Sequence, residues 1–354
     1  MKLFQCSNCG QPVYFDNRVC VACGGQLGFL PEQSAMYTVV PADGKLWQSA
    51  ALPDRSLRFC ANAATDVCNW MLTDAESGSY CMACRHNRIV PVTGRPEGLR
   101  RWQRIGQAQR HLFYSLIRLN LPHPDRSEDP EAGLVFDFLA DELDDGGNVV
   151  PAMTGYEDGV IRLRAVEADD ETRESIRVSM NEPYRTLLGH FRHEIGHFYW
   201  AQLFRDDQTL AEGRALFGDE RQDYAEALRR NYEYGPPADW QDRFISTYAS
   251  CHPAEDFAEC WAHYLHIVDA LETARAFGLS TDPSHRGTAA EVDFDPYAAQ
   301  DAQTLVDAWI PLSVALNSIQ RSMGQPDSYP FVLSRPVIEK LDFIGKLIHT
   351  RRRA

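Results

Sequence analysis

The chain has 354 residues, of which 44% are hydrophobic and 24% are charged, values typical of a soluble globular protein rather than a low-complexity or membrane-spanning one. Its net charge of −15 argues against a general nucleic-acid binder, because neutralising phosphates requires clustered basic residues. The N-terminus MKLFQCSNCG lacks the uninterrupted apolar region of a secretory signal, so we expect a cytoplasmic protein that does not engage a membrane.

Eight of the ten cysteines lie in the first quarter of the chain and form two sets. The first set has the spacing Cys6-x2-Cys9-x10-Cys20-x2-Cys23. Two CxxC knuckles separated by the length of a short hairpin bring four thiolates to the corners of a tetrahedron around one zinc ion. Disulfide bonds are the alternative, but a reducing cytosol favours metal. The sequence therefore predicts a structural zinc ribbon over residues 1–30.

The second set has the less regular spacing Cys60-x7-Cys68-x12-Cys81-x2-Cys84. Four cysteines in so short a window exceed what a hydrophobic core requires, so we predict a second structural zinc site within residues 31–97, with His86 as an alternative to Cys84. A site filled by four protein ligands has no open position for water, so both zinc ions would stabilise modules with small cores. The ribbon is expected to dock a protein partner or to act as a scaffold, in preference to binding nucleic acid.

The large domain is predicted to span residues 98–354. Segment 98–120 has apolar residues at a helical period, 133–141 predicts a strand, and 149–169 predicts two strands around a Glu-Asp-Gly turn. Helices are predicted at 170–180, 183–204, 219–232, 239–250, 253–275, 302–322 and 335–350. A small mixed sheet followed by many helices indicates an α+β fold.

Residues 189–200, GHFRHEIGHFYW, contain an HExxH motif. In a helix, His193 and His197 lie one turn apart on the same face, so both imidazoles can reach one zinc ion at about 2.0–2.1 Å. Glu194 lies beside this pair and can reach a water on the metal, which predicts a general base. Two histidines do not complete a zinc site, so a third ligand must come from another segment.

A downstream helix that begins at Pro253 offers the third ligand. Glu255, Glu259 and His263 recur every four residues along one face of this helix. Its aromatic neighbours predict burial, and a buried acidic stripe is unusual unless it meets a cation. The spacing alone leaves the choice between Glu255 and Glu259 open.

Six segments carry a resemblance to a known family: CSNCGQPVYFDNRVCVACG, FCANAATDVCNW, YCMACRHNR, EPYRTLLGHFRHEIGHFYW, FGDERQDYAEAL and EDFAECWAHYLHIVDALETA. Over nearly its whole length the chain resembles bacterial zinc-binding metallopeptidases with an N-terminal zinc ribbon. More distantly, the pattern Tyr-x6-Glu-x3-Glu at Tyr248, Glu255 and Glu259 is similar to the catalytic domain of anthrax lethal factor. This resemblance implies a gluzincin-type zincin fold in which Glu255 is the third ligand, Tyr248 supports the oxyanion and Glu259 orients His193.

These features together predict a zinc metallopeptidase of the endopeptidase type, with one catalytic and two structural zinc ions. Water in the fourth position of the catalytic zinc would give its proton to Glu194 and attack a peptide carbonyl. A polypeptide substrate would bind in extended form, and segment 159–166, GVIRLRAV, is the predicted edge strand that pairs with it. The alternative is a non-proteolytic, regulatory zinc-ribbon protein that binds a protein partner or DNA.

Overall fold

The computed structural model describes residues 2–179, 182, 184–283 and 290–351, and the chain divides into two units. The first unit comprises Met1–Arg118 and Pro122–Ile176, and the second comprises Leu119–Leu121 and Arg177–Ala354. Most strands belong to the first unit and most helices to the second. This distribution confirms the predicted α+β fold. Within the described residues, no helix is both long enough and apolar enough to cross a membrane.

The first unit begins with a short hairpin and a five-stranded sheet. In the hairpin, β1 (Phe4–Gln5) pairs antiparallel with β2 (Pro12–Val13). The sheet contains antiparallel strands in sequence order, which are β3 (Gln26–Leu30), β4 (Ala35–Pro41), β5 (Trp47–Ser49), β6 (Leu52–Phe59) and β7 (Met71–Thr73). Its buried apolar cluster consists of Leu30, Val39, Leu57 and Met71. The sequence predicts no sheet within residues 31–97, so this sheet is a further finding.

A second, mixed sheet follows in the first unit. After β8 (Asn87–Ile89) and helix α1 (Pro96–Arg118) come β9 (Val135–Leu139), β10 (Glu142–Leu143), β11 (Val149–Val150), β12 (Gly155–Glu157) and β13 (Val160–Arg164). β10 and β11 form a separate hairpin, and the other four strands pair in the order β12-β13-β9-β8. β13 is antiparallel to β12, as the Glu-Asp-Gly turn predicts, and parallel to β9. β13 therefore has a partner on each side, and the prediction that segment 159–166 is an edge strand is wrong.

The second unit is mostly helical. The helices after α1 are α2 (Asp170–Ser179), which crosses the division between the units, then α3 (Leu187–Leu203), α4 (Asp207–Phe217), α5 (Tyr224–Tyr234), α6 (Trp240–Arg243), α7 (Pro253–Phe277), α8 (Ala302–Ser322) and α9 (Arg335–Arg351). A short hairpin pairs β14 (Ser280–Thr281) with β15 (Ala290–Glu291). The predicted helix at 239–250 is wrong, because α6 ends at Arg243 and only a 3-10 turn follows at Tyr248–Ser250. Residues 180 and 183, at the predicted ends of two helices, lie outside the described residues.

Helices α3 and α7 begin at sequence signals for helix starts. The Thr186 side chain accepts a hydrogen bond from the backbone N–H of Gly189 at 2.9 Å and caps α3. At α7, His252 Nδ1 accepts from the backbone N–H of Ala254 at 3.1 Å, and Pro253 occupies the first turn, as predicted. These caps set the residue at which each helix begins.

Helices α3 and α7 pack closely against each other through aromatic side chains and one glycine. The rings of Tyr199 and Trp261 stack with centroids 4.8 Å apart, and both side chains are buried. Gly196 lies between the two histidines of the HExxH motif, and a Cβ atom there would be 2.9 Å from the Cα of Ala258. Only glycine allows this approach without displacing a helix, and the approach brings the HExxH face of α3 next to the acidic stripe of α7.

Candidate metal centre

The second unit brings His193, His197 and Glu255 together as one group of potential metal ligands whose donor atoms all lie within 4.8 Å of one another. Oε2 of Glu255 is 2.9 Å from Nε2 of His193 and 3.6 Å from Nε2 of His197. Two ligand atoms about 2.0–2.1 Å from a tetrahedral zinc ion are roughly 3.3 Å apart. The observed distances lie on either side of this value, so the three side chains fit one zinc ion.

The His193 ring lies between two carboxylates. Its Nδ1 donates a hydrogen bond to Oε1 of Glu259 at 2.7 Å, and its Nε2 lies 2.9 Å from Oε2 of Glu255. Burial alone would lower the pKa of His193, but the two carboxylates raise this pKa well above its usual value. A positive charge is favoured between these two carboxylates, and either a second proton on His193 or a zinc ion at Nε2 can supply it, so the donor set matches the chemistry of a zinc site.

Glu259 lies behind His193 rather than in the ligand group. Its Oε1 accepts from His193, and its Oε2 accepts from the hydroxyl of Ser246 at 2.6 Å. Ser246 Oγ in turn accepts from the backbone N–H of Ala249 at 3.0 Å, which holds the serine in place. Both oxygens of Glu259 are therefore engaged, whereas Oε2 of Glu255 faces both histidines. Ser246 has no recognisable signal in the sequence.

Glu194 is a buried carboxylate on the same helix as the two histidines. Its Oε1 lies 3.4 Å from Nε2 of His190, while its Oε2 has no hydrogen-bond partner among the residues that the structure describes. Burial would raise the pKa of Glu194, but His190 and then the two histidines of the motif lower it overall, so the carboxylate is ionised at neutral pH. Unpaired buried oxygens are costly and frequently mark reactive groups.

Two tyrosines adjoin the ligand group. The ring of Tyr248 lies 5.9 Å from that of His193, and burial, followed by Glu255 and Tyr224, raises the pKa of Tyr248 well above its usual value. Tyr248 is therefore a neutral hydroxyl donor. Tyr224 donates a hydrogen bond to Oε1 of Glu255 at 2.9 Å. The sequence does not predict this contact, because Tyr224 precedes Glu255 by 31 residues and has no periodic relation to it.

The first cysteine set lies in the first unit and forms one group, consisting of Cys6, Cys9, Cys20 and Cys23. The Sγ atoms of Cys6 and Cys23 are 3.7 Å apart, and those of Cys9 and Cys20 are 3.6 Å apart. Four thiolates at about 2.3 Å from a tetrahedral zinc ion have sulfur atoms roughly 3.8 Å apart. The cysteines are free thiols rather than disulfides, so the geometry fits a zinc ion.

The second cysteine set also forms one group in the first unit, and all four members are buried: Cys60, Cys68, Cys81 and Cys84. The Sγ atoms of Cys68 and Cys81 are 3.7 Å apart. His86 lies outside this group, since its Nδ1 donates to the backbone carbonyl of Leu134 at 2.9 Å and its ring stacks on Phe113. Cys84, rather than His86, therefore completes the set.

Comparison with known proteins agrees with both parts of this description. Residues 98–347 match the family described as "Putative zinc-binding metallo-peptidase". The chain belongs to this family. Residues 3–94 match a family described as a zinc-ribbon domain, so the predicted family with an N-terminal ribbon is confirmed. The family descriptions and the two groups of four cysteines support zinc binding.

Relatives in the mycobacteria cover almost the whole chain. One protein from Mycobacterium bovis and two from strains of Mycobacterium tuberculosis, each named as an uncharacterized protein, are 41% identical over 349 residues. The match covers 98% of this chain and 95% of each relative. No solved structure matches the chain. The similarity to anthrax lethal factor stays a prediction.

Proposed function

We propose that this protein is a zinc-dependent endopeptidase whose catalytic zinc ion is held by His193, His197 and Glu255. The observation that carries the proposal is the convergence of these three side chains beside Glu194, a buried carboxylate with an oxygen that lacks a partner among the described residues. The two groups of four cysteines would hold two further zinc ions with structural roles, because four protein ligands leave no position for water.

A zinc ion with three protein ligands, when bound, acts as a Lewis acid and lowers the pKa of a coordinated water to about 7. Glu194 has the charge of a general base, and its Oε2 would accept a proton from the attacking water and then deliver it to the leaving amine. Tyr248, which is neutral, donates its hydroxyl proton as a hydrogen bond to the carbonyl oxygen of the substrate. Glu259 keeps His193 in the tautomer with a proton on Nδ1.

We assign the third ligand to Glu255 and the supporting role to Glu259. Glu255 is buried, and the two imidazoles hold its pKa well below the usual value even though burial opposes this shift. It is therefore an anion whose Oε2 faces both histidines. Glu259 has both oxygens occupied by His193 and Ser246, so it would have to break a hydrogen bond to become a ligand.

The experiment that tests this proposal compares the wild-type protein with Glu194→Gln on a mixture of unfolded polypeptides, with new N-termini identified by mass spectrometry. Glu194→Gln should retain its zinc and lose about 10²- to 10⁴-fold in cleavage rate, because the amide cannot accept the proton. Glu212→Gln, at an exposed glutamate of α4, is the matched control and should cleave normally. Equal cleavage by the Glu194→Gln protein would overturn the proposed role.

A docking role for the zinc ribbon is a second proposal. Val21 lies between Cys20 and Cys23, and its side chain is 90% exposed at the tip of the knuckle. An exposed apolar tip held rigidly by a metal site suits contact with a protein partner better than contact with phosphates. A cellular effect that survives Glu194→Gln but is lost in Val21→Asp would favour this binding function over proteolysis.

A further inference from the structure

Tyr224 contacts the proposed third zinc ligand through its hydroxyl group. It is the first residue of α5, and the side chain of Asp223 accepts from the backbone N–H of Glu226 at 2.9 Å, which fixes the start of the helix. The Tyr224 hydroxyl donates its proton to Oε1 of Glu255 at 2.9 Å.

The two oxygens of Glu255 have different partners. Oε2 faces Nε2 of His193 and Nε2 of His197, and Oε1 faces the Tyr224 hydroxyl. An ionised carboxylate accepts hydrogen bonds but donates none, so a hydroxyl donor on one oxygen turns the other oxygen toward the metal position. The terminal torsion of a glutamate is otherwise broad, and ordering it costs conformational entropy.

The ring of Tyr224 is also held in place by the helix that carries Glu255. It packs edge to face on His252, the residue that caps α7, with ring centroids 5.2 Å apart. His252 Nε2 lies 3.2 Å from the backbone carbonyl of Gln222, two residues before Tyr224. The tyrosine and the carboxylate that it contacts are therefore positioned by the same turn of α7.

We infer that Tyr224 is a positioning residue of the metal centre, which holds Glu255 with Oε2 directed at the zinc position and Oε1 turned away from it. This inference rests on the proposed function, because it assigns Tyr224 to the third ligand of the catalytic zinc. Partners that orient metal ligands in this way contribute about 10- to 100-fold to metal affinity. The Tyr224 hydroxyl contacts Oε1 rather than Oε2 of Glu255, so its effect on the metal passes through Glu255.

The test measures zinc affinity by chelator competition on the full-length holoprotein and its Tyr224→Phe variant. The change removes one oxygen atom and keeps the ring that packs on His252. The ion of interest is the zinc ion that the wild-type protein binds and the His197→Ala protein does not. Its affinity should fall by about 10- to 100-fold in Tyr224→Phe protein, while the other two ions are bound as in the wild type.

Tyr232→Phe is the matched control, because Tyr232 lies on the same helix and its side chain is 67% exposed. This variant should bind all zinc ions as the wild type does, and circular dichroism should show the same helix content for both variants. An affinity within twofold of wild type in folded Tyr224→Phe protein overturns the inference and leaves the proposed peptidase function standing. A wild-type protein that binds no ion at His197 overturns both.

Discussion

Nδ1 of His193 donates a hydrogen bond to Oε1 of Glu259 at 2.7 Å, and the opposite nitrogen of the same ring faces Glu255. The ring is therefore fixed in both orientation and tautomer by a carboxylate that does not itself reach the metal position. Glu259→Gln should weaken binding of the catalytic zinc by about 10- to 100-fold, since the amide loses the charge and offers Ser246 a donor instead of an acceptor. Chelator competition measures this change in zinc affinity. An unaltered affinity would show that Glu259 does not support zinc binding.

Tyr248 is predicted to act on the substrate rather than on the metal. Its pKa is raised by burial and by the neighbouring Glu255, so the hydroxyl keeps its proton and can donate it. Tyr248→Phe should lower kcat by about 10²- to 10³-fold with little change in KM and with the full zinc content. Tyr234→Phe, an exposed change on α5, should leave kcat unchanged. A kcat of the wild-type value in Tyr248→Phe protein would show that another group supports the oxyanion.

Gly196 provides a test of the helix packing that assembles the site. Helix propensity alone predicts that Gly196→Ala stabilises the protein by about 1 kcal/mol. The contact with Ala258 predicts the opposite sign, a loss of about 1–3 kcal/mol, because the new methyl group would displace α3 from α7. Urea unfolding of the zinc-saturated wild-type and Gly196→Ala proteins distinguishes these two predicted signs. A rise in the free energy of unfolding would contradict the close approach of these helices.

The second cysteine set should be essential for the stability of the first unit. Cys81 is fully buried, and its replacement by serine removes one thiolate from a group of four. Cys81→Ser should lose one zinc ion per chain and lower the thermal unfolding temperature. Cys251→Ser is the control, because Cys251 lies outside both groups of four. Equal zinc content in the two variants would argue against a metal at the second set.

Local patterns in the sequence predict the parts of the site that depend on one element. The HExxH spacing places two imidazoles on one face of α3, and Pro253 marks the start of α7, because both follow from helix geometry. The CxxC knuckles are equally local. These features could be predicted because the relevant residues are separated by a fixed number of backbone steps within one element.

Tertiary contacts determine the features that the sequence does not reveal. Tyr224 and Ser246 reach Glu255 and Glu259 only after separate segments pack together. The predicted helix at 239–250 stops early, where the Lys340 ammonium donates to the carbonyl of Arg243 at 2.8 Å and so satisfies the end of α6.

Two further elements differ from the prediction for local reasons. Helix α4 is absent from the predicted helices. It contains Gly213, a residue with low helix propensity, and this glycine lies against the ring of Phe204. β13 shows the alternation of a half-exposed strand, yet alternation does not reveal how many partners a strand has, and β13 has two.

The most direct test of the central claim is a count of zinc ions by elemental analysis of the purified wild-type protein and of His197→Ala. The claim that His193, His197 and Glu255 hold a catalytic zinc predicts three ions per wild-type chain and two in the variant, with the two ions of the cysteine groups retained. Two ions in both proteins, or three in both, would contradict it.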